Sequence, residues 1–436
     1  MAKHYLEQNV YDATMKRIAQ AFEDHDKVLV AFSGGKDSGL MMNLCYDYAK
    51  EHDKLDQLAM YTMDYEADYR ASDEYVERCF NGYPGMQKFW LCLPISAQCS
   101  CSMTETYWIP WDEDKQSIWV KDMPDNDAVI NEHNCPFNFT KGTYGRDTRI
   151  NFAKWFADKY GSTAVMVGLR ADESLNRLSA ITSQHRKYMF NGLRYTSKLA
   201  ENCYSYYPIY DWTVEDIWTA NAKFGYDYNK TYDLMYQAGV PVAQQRLASP
   251  FHSCGQCDLK LYKVIAPDVW GKMVSRVNGV NFMGLYGGTV ATGYKKATKP
   301  KHFTWKQYAQ FLLNTLPDDI RERFLSNITR FEKTWSEKGY GRNERVIAQM
   351  ESEGIKLEHT GVDDKRCTKP GYYEIVKIKS GIPDETEAGD FRHCPSWKAI
   401  CITILKNDWT LQYMGVSRSK KDNDRKKAAL EKYKNL

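Results

Sequence analysis

Apolar residues at helical spacing, Met15, Ile18, Ala19 and Phe22, predict a first helix. A continuous apolar run, Val28–Phe32, then predicts a buried strand. It gives way to Ser33-Gly34-Gly35-Lys36-Asp37-Ser38 and then to Met41, Leu44, Cys45 and Tyr48 at i, i+3, i+4 and i+7. That order reads as strand, tight turn, helix. Residues 57–64 (QLAMYTMD) and 88–95 (KFWLCLPI) predict a second and a third strand. Phe152, Trp155, Phe156 and Tyr160 form another helical face, which leads into a buried strand at Ala164–Leu169. Strands alternating with helices imply an α/β fold with a doubly wound parallel sheet, whose ligands bind at the carboxyl ends of the strands.

Further along, the pattern has no internal repeat and no low-complexity linker, so boundaries rest on changes of pattern. They divide the chain into residues 1–228, a mainly helical extension at 229–345 with a Cys-x-x-Cys segment, and a small domain at 346–436 with a basic terminal helix. In Tyr207–Trp218, Pro208 breaks the preceding element, Thr213 and Asp216 fit a capping box, and Ile217 with Trp218 begins an apolar helix face. This segment reads as architecture. The aromatic insert Trp108–Trp119 reads as burial over the sheet, with stacking on a base as the competing use.

Composition narrows the class. Of 436 residues 43% are apolar, enough for more than one core. The first twenty residues lack the apolar stretch of a signal peptide, and no apolar run approaches the ~18–20 residues of a membrane span. A cytoplasmic protein without membrane contact is expected. Twelve scattered cysteines then read as buried thiols, with a few as ligands, and not as a disulfide scaffold. Ser417–Leu436 holds eight Lys/Arg against three Asp/Glu, a surplus of five that exceeds the whole chain's +3 and leaves −2 on the rest. The main body therefore has no nucleic-acid footprint, and the tail reads first as a solvated helix.

The chemistry starts at Ser33–Ser38. Glycines let backbone N–H groups line a concavity, the helix start adds its positive dipole end, and Lys36 adds a full charge, so the turn is built to hold phosphate. It is not a Walker A loop, because residue 30 is valine and Lys36 is followed by Asp37. The segment resembles the pyrophosphate loop of the N-type ATP pyrophosphatases, the PP-loop superfamily with an adenine nucleotide alpha hydrolase-like fold. That resemblance implies that Ser33, Gly34, Gly35, Lys36, Asp37 and Ser38 bind the triphosphate of ATP with Mg²⁺. It also implies that backbone near Ala31 and Thr62 holds adenine, with Asp64 approaching the metal or the ribose.

A second stretch, AVMVGLRADESLNRLSA at 164–180, sets Arg170 and Arg177 around Asp172, Glu173 and Ser174 at a strand end. Paired guanidinium forks there suit a phosphate, sulfate or carboxylate group. A solvated charge cluster is the alternative reading. The GxRxxES pattern, together with PIYDWTVEDIW at 208–218, is similar to the phosphoadenosine phosphosulfate (PAPS) reductase group. Beyond residue 230, FHSCGQCDLKLYK, NFMGLYGG and CPSWKAICITILKND look like the long C-terminal extension of the immunoglobulin-binding regulator A (IbrA-like) subgroup. Members of that subgroup are often paired with a ParB-like partner.

Reductases of the group act on an already activated nucleotide through a cysteine near the C-terminus, whereas this chain has none after Cys401 and keeps Lys36 and Asp37. The expected chemistry is therefore ATP cleavage at the α-phosphate, with Lys36, Asp37 and Arg170 as catalytic residues. A small anionic or phosphorylated acceptor would be held by Arg170, Asp172, Glu173 and Arg177. Modification of tRNA or DNA, including sulfur transfer, and a non-catalytic nucleotide switch are the alternatives.

The single metal-like signal is His252-Ser253-Cys254-Gly255-Gln256-Cys257. Cys254 and Cys257 have the two-thiolate spacing of a zinc or iron–sulfur site, with His252 as a third donor and Cys135, Cys203, Cys367 or His393-Cys394 as sources of a fourth. Plain thiols and a redox dithiol compete with that reading.

Overall fold

The computed structural model describes residues 6–102, 105, 107–182, 188–252, 255, 259–287, 297–364, 373–388, 395–409, 411 and 414. They fall into two compact units, Met1–Gln98 with Tyr107–Val277, and Cys99–Thr106 with Asn278–Leu436.

In the first unit, helix α1 (Val10–Asp24) is capped by the Asn9 side chain and precedes strand β1 (Lys27–Ala31). Helix α2 (Lys36–Glu51), strand β2 (Leu58–Met63), helix α3 (Arg70–Gly82) and strand β3 (Gln87–Leu91) follow. Short strands β4 (Ala97–Gln98) and β5 (Tyr107–Trp108) pair with each other, and β6 (Val129–Ile130) joins the edge of the main sheet beside β3. Helix α4 (Gly145–Tyr160) leads into β7 (Thr163–Val167), then come α5 (Leu175–Thr182), β8 (Thr196–Ala200), β9 (Cys203–Tyr206) and α6 (Val214–Phe224). The unit closes with α7 (Thr231–Gln237), α8 (Leu259–Ile265) and α9 (Pro267–Arg276).

The main sheet has seven strands in the order β6-β3-β2-β1-β7-β9-β8, parallel except for β8, which runs antiparallel to β9. This is the doubly wound sheet expected from the alternation of strands and helices. Val28, Val30 and Phe32 pack to one face with residues of α1, α2 and α6, while Leu29 packs to the other with Phe152 and Phe156 of α4. Burial on both faces explains why β1 is a continuous apolar run and not an alternating one. The Thr213–Asp216 capping box opens α6 as its sequence predicts, and Gly225 closes the helix in the left-handed region at φ 68°.

Residues 229–277, which the pattern alone reads as the start of a separate extension, pack in this first unit. The reason is a set of long-range polar contacts that no local pattern encodes. Asn229 reaches Gly34, Tyr232 reaches Lys36, and Arg276 reaches Glu66.

The second unit is mainly helical, as expected, with α10 (Val280–Tyr286), α11 (Trp305–Asn314), α12 (Asp318–Glu337), α13 (Glu344–Ser352) and α14 (Trp397–Leu405). It adds an antiparallel sheet of β10 (Tyr340–Arg342), β11 (Leu357–Asp363) and β12 (Glu374–Ile378), with β12 central. Its core gathers Phe324, Ile328 and Phe331 of α12 with Ile400 and Ile404 of α14. The basic tail lies outside the described residues. No helix among the described residues is long and apolar enough to cross a membrane.

Candidate functional site

Strand order reverses between β1 and β7, because the chain builds outward from β1 through β2 and β3 on one side and places β7, β9 and β8 on the other, with β8 at the edge. A crevice at such a point, beyond the carboxyl ends of the strands, is where open α/β sheets bind ligands. Ser33–Ser38 follows β1 and Gly168–Arg170 follows β7, so both sequence motifs converge there.

The turn is shaped by its own side chains. Phe32 still donates to Tyr61 across the ladder at 2.9 Å, and the chain then turns through Gly34 at φ 69°. A Cβ on Gly34 would also lie 2.9 Å from Val76 Cγ2, so conformation and space both require glycine. Ser38 Oγ accepts from Ser33 N at 3.1 Å, lies 3.0 Å from Ser33 Oγ, and donates to Gly35 O at 3.1 Å. The two hydroxyls thus staple the loop. Gly35 caps α2 with no side-chain bond, leaving the first turn of the helix to other partners.

Across the crevice, a Cβ on Gly168 would sit 2.8–2.9 Å from backbone atoms of Asp37 and Ser38. That close approach brings Arg170, itself buried, into an ion pair with Asp37 at 2.5 Å. Arg170 is therefore part of the wall of the Ser33–Ser38 loop. Arg177 pairs with Glu173 at 2.9 Å one helical turn away, and Asp172 is exposed. Each guanidinium holds its own carboxylate.

Lys36 is 4% exposed. Its ammonium donates to Gln245 O at 3.0 Å, lies 3.7 Å from Asp37 Oδ2, and faces the Tyr232 ring at 5.0 Å. Burial lowers its pKa, with Arg170 and Arg246 pressing the same way and Asp37 opposing. The Lys36 amide donates to Tyr232 Oη at 3.1 Å, and burial raises that phenol so that it stays neutral. Asn229 Nδ2 donates to Gly34 O at 2.8 Å and to Ser72 Oγ at 3.0 Å, while Ser72 and Thr231 hydroxyls meet at 2.9 Å. Asn229, Thr231, Tyr232, Gln245 and Arg246 are absent from the sequence-derived site. Their roles run through a hydroxyl, an amide and a backbone carbonyl some 200 residues from the loop.

On the β2 side, Thr62 is buried opposite Trp90, and Ala31 is half-buried between Tyr61 and Val167. Asp64 accepts from Trp90 Nε1 at 3.0 Å and pairs with Lys121 at 2.8 Å, and Lys121 also pairs with Asp73. Burial, then repulsion from Asp73, pushes the Asp68 carboxyl up to about 7. A carboxyl raised in the folded state stabilises the fold fully below its ordinary pKa, and that contribution is lost as pH rises through about 7. Asp68→Asn is therefore expected to melt like wild type near pH 4 and to gain on it steadily up to pH 8. A melting difference that is flat across that range would refute the assignment.

The aromatic insert puts Trp108 and Trp111 in the core, with Trp111 Nε1 donating to Asp64 O at 2.8 Å, while residues 113–118 are exposed. Of the metal candidates, His252 is described and burial lowers its pKa. Cys254, Cys257, Cys367, His393 and Cys394 lie outside the described residues. Cys203 is buried in β9 with its thiol pushed up to about 12, and Cys135 is half-buried. Among the described residues no three His, Cys, Asp or Glu side chains are grouped to hold a metal.

Comparison with known proteins adds family to geometry. Residues 115–242 match the phosphoadenosine phosphosulfate reductase domain, and 239–425 match a domain of unknown function, DUF3440. The chain is 32% identical over 422 residues to the uncharacterized protein YbdN of Escherichia coli (strain K12), covering 95% of this chain and 92% of that protein. The chain belongs to this PAPS reductase-like family. The segment that matches the PAPS reductase domain includes Arg170, Glu173, Arg177 and Tyr232, while Ser33–Ser38 lies ahead of it. Among solved structures, PAPS reductase from Candida auris in a phosphate complex aligns at 10% identity, over 54% of this chain and 94% of that one, with a TM-score of 0.29. FMN adenylyltransferase from Candida glabrata in complex with ATP aligns at 12% identity over 53% and 62%, with a TM-score of 0.28. The U34-tRNA thiolase NcsA from Methanococcus maripaludis, with its [4Fe-4S] cluster, aligns at 12% over 69% and 87%, with a TM-score of 0.29.

Proposed function

We propose that this protein is an ATP pyrophosphatase that binds Mg-ATP at Ser33–Ser38 and transfers the adenylyl group to a small anionic acceptor. The observation that carries the reading is the buried Lys36 on a phosphate-shaped turn at the reversal of strand order, with Arg170 and Arg246 as its neighbours. An oxygen of the acceptor attacks the α-phosphorus, the bond from that phosphorus to the bridging oxygen breaks, and pyrophosphate leaves with the bonding pair. Charge growing on the leaving group is met by the Lys36 ammonium and the amides at the start of α2. Mg²⁺ would arrive with the nucleotide, held mainly by its phosphates and one or two carboxylates. Arg170, bonded to Asp37, orients the loop wall and adds a fixed positive charge beside the phosphates. A metal at Cys254 and Cys257 remains part of the proposal, supported by the spacing of two thiolate donors.

Incubation of the full chain with Mg-ATP and pools of small carboxylates, sulfates and phosphates should yield pyrophosphate with AMP or an adenylylated product. Release of ADP and phosphate instead, or binding of PAPS with refusal of ATP, would overturn the proposal.

A further inference from the structure

The groups that would meet a triphosphate are already engaged by the chain itself. The first amide of α2, on Lys36, donates to the Tyr232 hydroxyl, and the Lys36 ammonium donates to the Gln245 carbonyl. Both acceptors are neutral oxygens in positions where anionic oxygens make shorter and stronger bonds. The Gln245 carbonyl is carried on a small turn held largely by its own bonds. Gln245 Nε2 donates to Val240 O at 3.1 Å, Gln244 N to Pro241 O at 2.8 Å, and Gln245 N to Val242 O at 3.3 Å. Residues 241–244 of that turn are exposed, whereas Gln245 is buried against the lysine. The next residue, Arg246, is exposed and rests its guanidinium on the backbone carbonyl of Glu173, again a neutral oxygen.

Lys36, Arg170 and Arg246 face Asp37 and Glu173, and Glu173 is shared with Arg177. We infer that residues 240–246 form a displaceable latch over the phosphate loop, released when a pyrophosphate-class anion takes over Lys36, and that Arg246 is the cation the latch contributes to that anion. The inference rests on the ATP-binding reading of the loop. Displacement exchanges two bonds to neutral oxygens for two to charged ones, so the anion outcompetes the carbonyl and the hydroxyl it replaces. Arg246 follows the displaced carbonyl directly in the chain, so the motion that uncovers the ammonium carries a guanidinium with it. A lysine held this way is kept from unrelated anions until one arrives that can bond to loop, lysine and Arg246 together.

Calorimetry of the full chain with inorganic pyrophosphate and with Mg-ATP tests the idea on wild type, Arg246→Gln and Tyr232→Phe. Arg246→Gln, a change at an exposed position, should weaken both probes by ~10-fold or more, the effect of removing one charge-assisted hydrogen bond. Tyr232→Phe keeps the ring but removes the hydroxyl that competes for the Lys36 amide, and should tighten both probes by ~3-fold or more. Wild-type affinity in Arg246→Gln, while wild type binds both probes, would overturn the latch and leave the ATP-binding reading standing. Unchanged or weaker affinity in Tyr232→Phe would make its hydroxyl something other than a placeholder and would also overturn the latch. Failure of wild type to bind either probe would sink the latch and the ATP-binding reading together.

Discussion

Lys36→Ala is expected to weaken Mg-ATP binding by ~100-fold or more while leaving the first unit folded. The size follows from the hydrogen bonds that the ammonium would make to the nucleotide. Bonded to phosphate oxygens, it contributes on the order of 1.5–3 kcal/mol per charged hydrogen bond, and two such bonds amount to about 3 kcal/mol or more. Folding should tolerate the change because Lys36 gives its side chain to a single carbonyl, one distant carboxylate and the face of one ring. Burial already presses the ammonium toward losing its proton, so removing it relieves a desolvation cost. Lys36→Arg should not rescue binding, because a planar guanidinium fork does not reproduce the compact point charge of the ammonium at this turn. Titration calorimetry at fixed ionic strength reads the affinity, and a thermal melt of the same sample reads the fold. Wild-type affinity for Mg-ATP in Lys36→Ala would take the loop out of nucleotide binding.

What the sequence discloses of this site depends on how local each contribution is. Six adjacent residues between a strand and a helix announce the loop, since glycines, lysine and hydroxyls all act within one turn of chain. The central strands are equally legible, because burial on both faces leaves an unbroken apolar run in β1 and a nearly unbroken one in β2. The strands beyond β7 are not. β8 (TSKLA) has only Thr196 buried, and β9 (CYSY) mixes polar and apolar residues, so neither has a period to detect. Arg170 is legible as a cation at a strand end, but its partner Asp37 is 133 positions away and is fixed only by the close approach that Gly168 permits. Gln245 acts through a backbone carbonyl, which every residue carries, so nothing in its identity points to Lys36. Glu66 is hidden for a further reason. It looks like one more acidic residue in a polar loop, yet it adopts φ 67° and is fully buried.

That glutamate carries the second large expectation. Arg276→Met should destabilise the first unit by about 3–5 kcal/mol, the cost of leaving one charge of a buried pair without its partner. Arg276 meets Glu66 through two bonds, Nε to Oε1 at 2.7 Å and Nη2 to Oε2 at 2.9 Å, and Nη2 also donates to Ile109 O at 2.7 Å. Glu66 in turn accepts from Trp111 N at 2.8 Å and from Val120 N at 3.0 Å. Neither side chain is more than 1% exposed. The pair thus ties the loop after β2 to both ends of the aromatic insert and to the last turn of α9. Replacing both partners of a buried ion pair by apolar residues is often nearly neutral. Here it should not be, because Glu66→Leu/Arg276→Met would still leave the Trp111 and Val120 amides buried without acceptors, at ~1–3 kcal/mol each. Glu66→Gln/Arg276→Met keeps one carbonyl oxygen for those amides and should recover part of the loss. Urea unfolding ranks the variants. Hydrogen exchange at Trp111 and Val120 assigns the effect, since these two amides should lose protection before the strands of the sheet do. A loss below about 1 kcal/mol in Arg276→Met, or full recovery in the apolar double variant, would mean that packing of the insert, and not this pair, holds it in place.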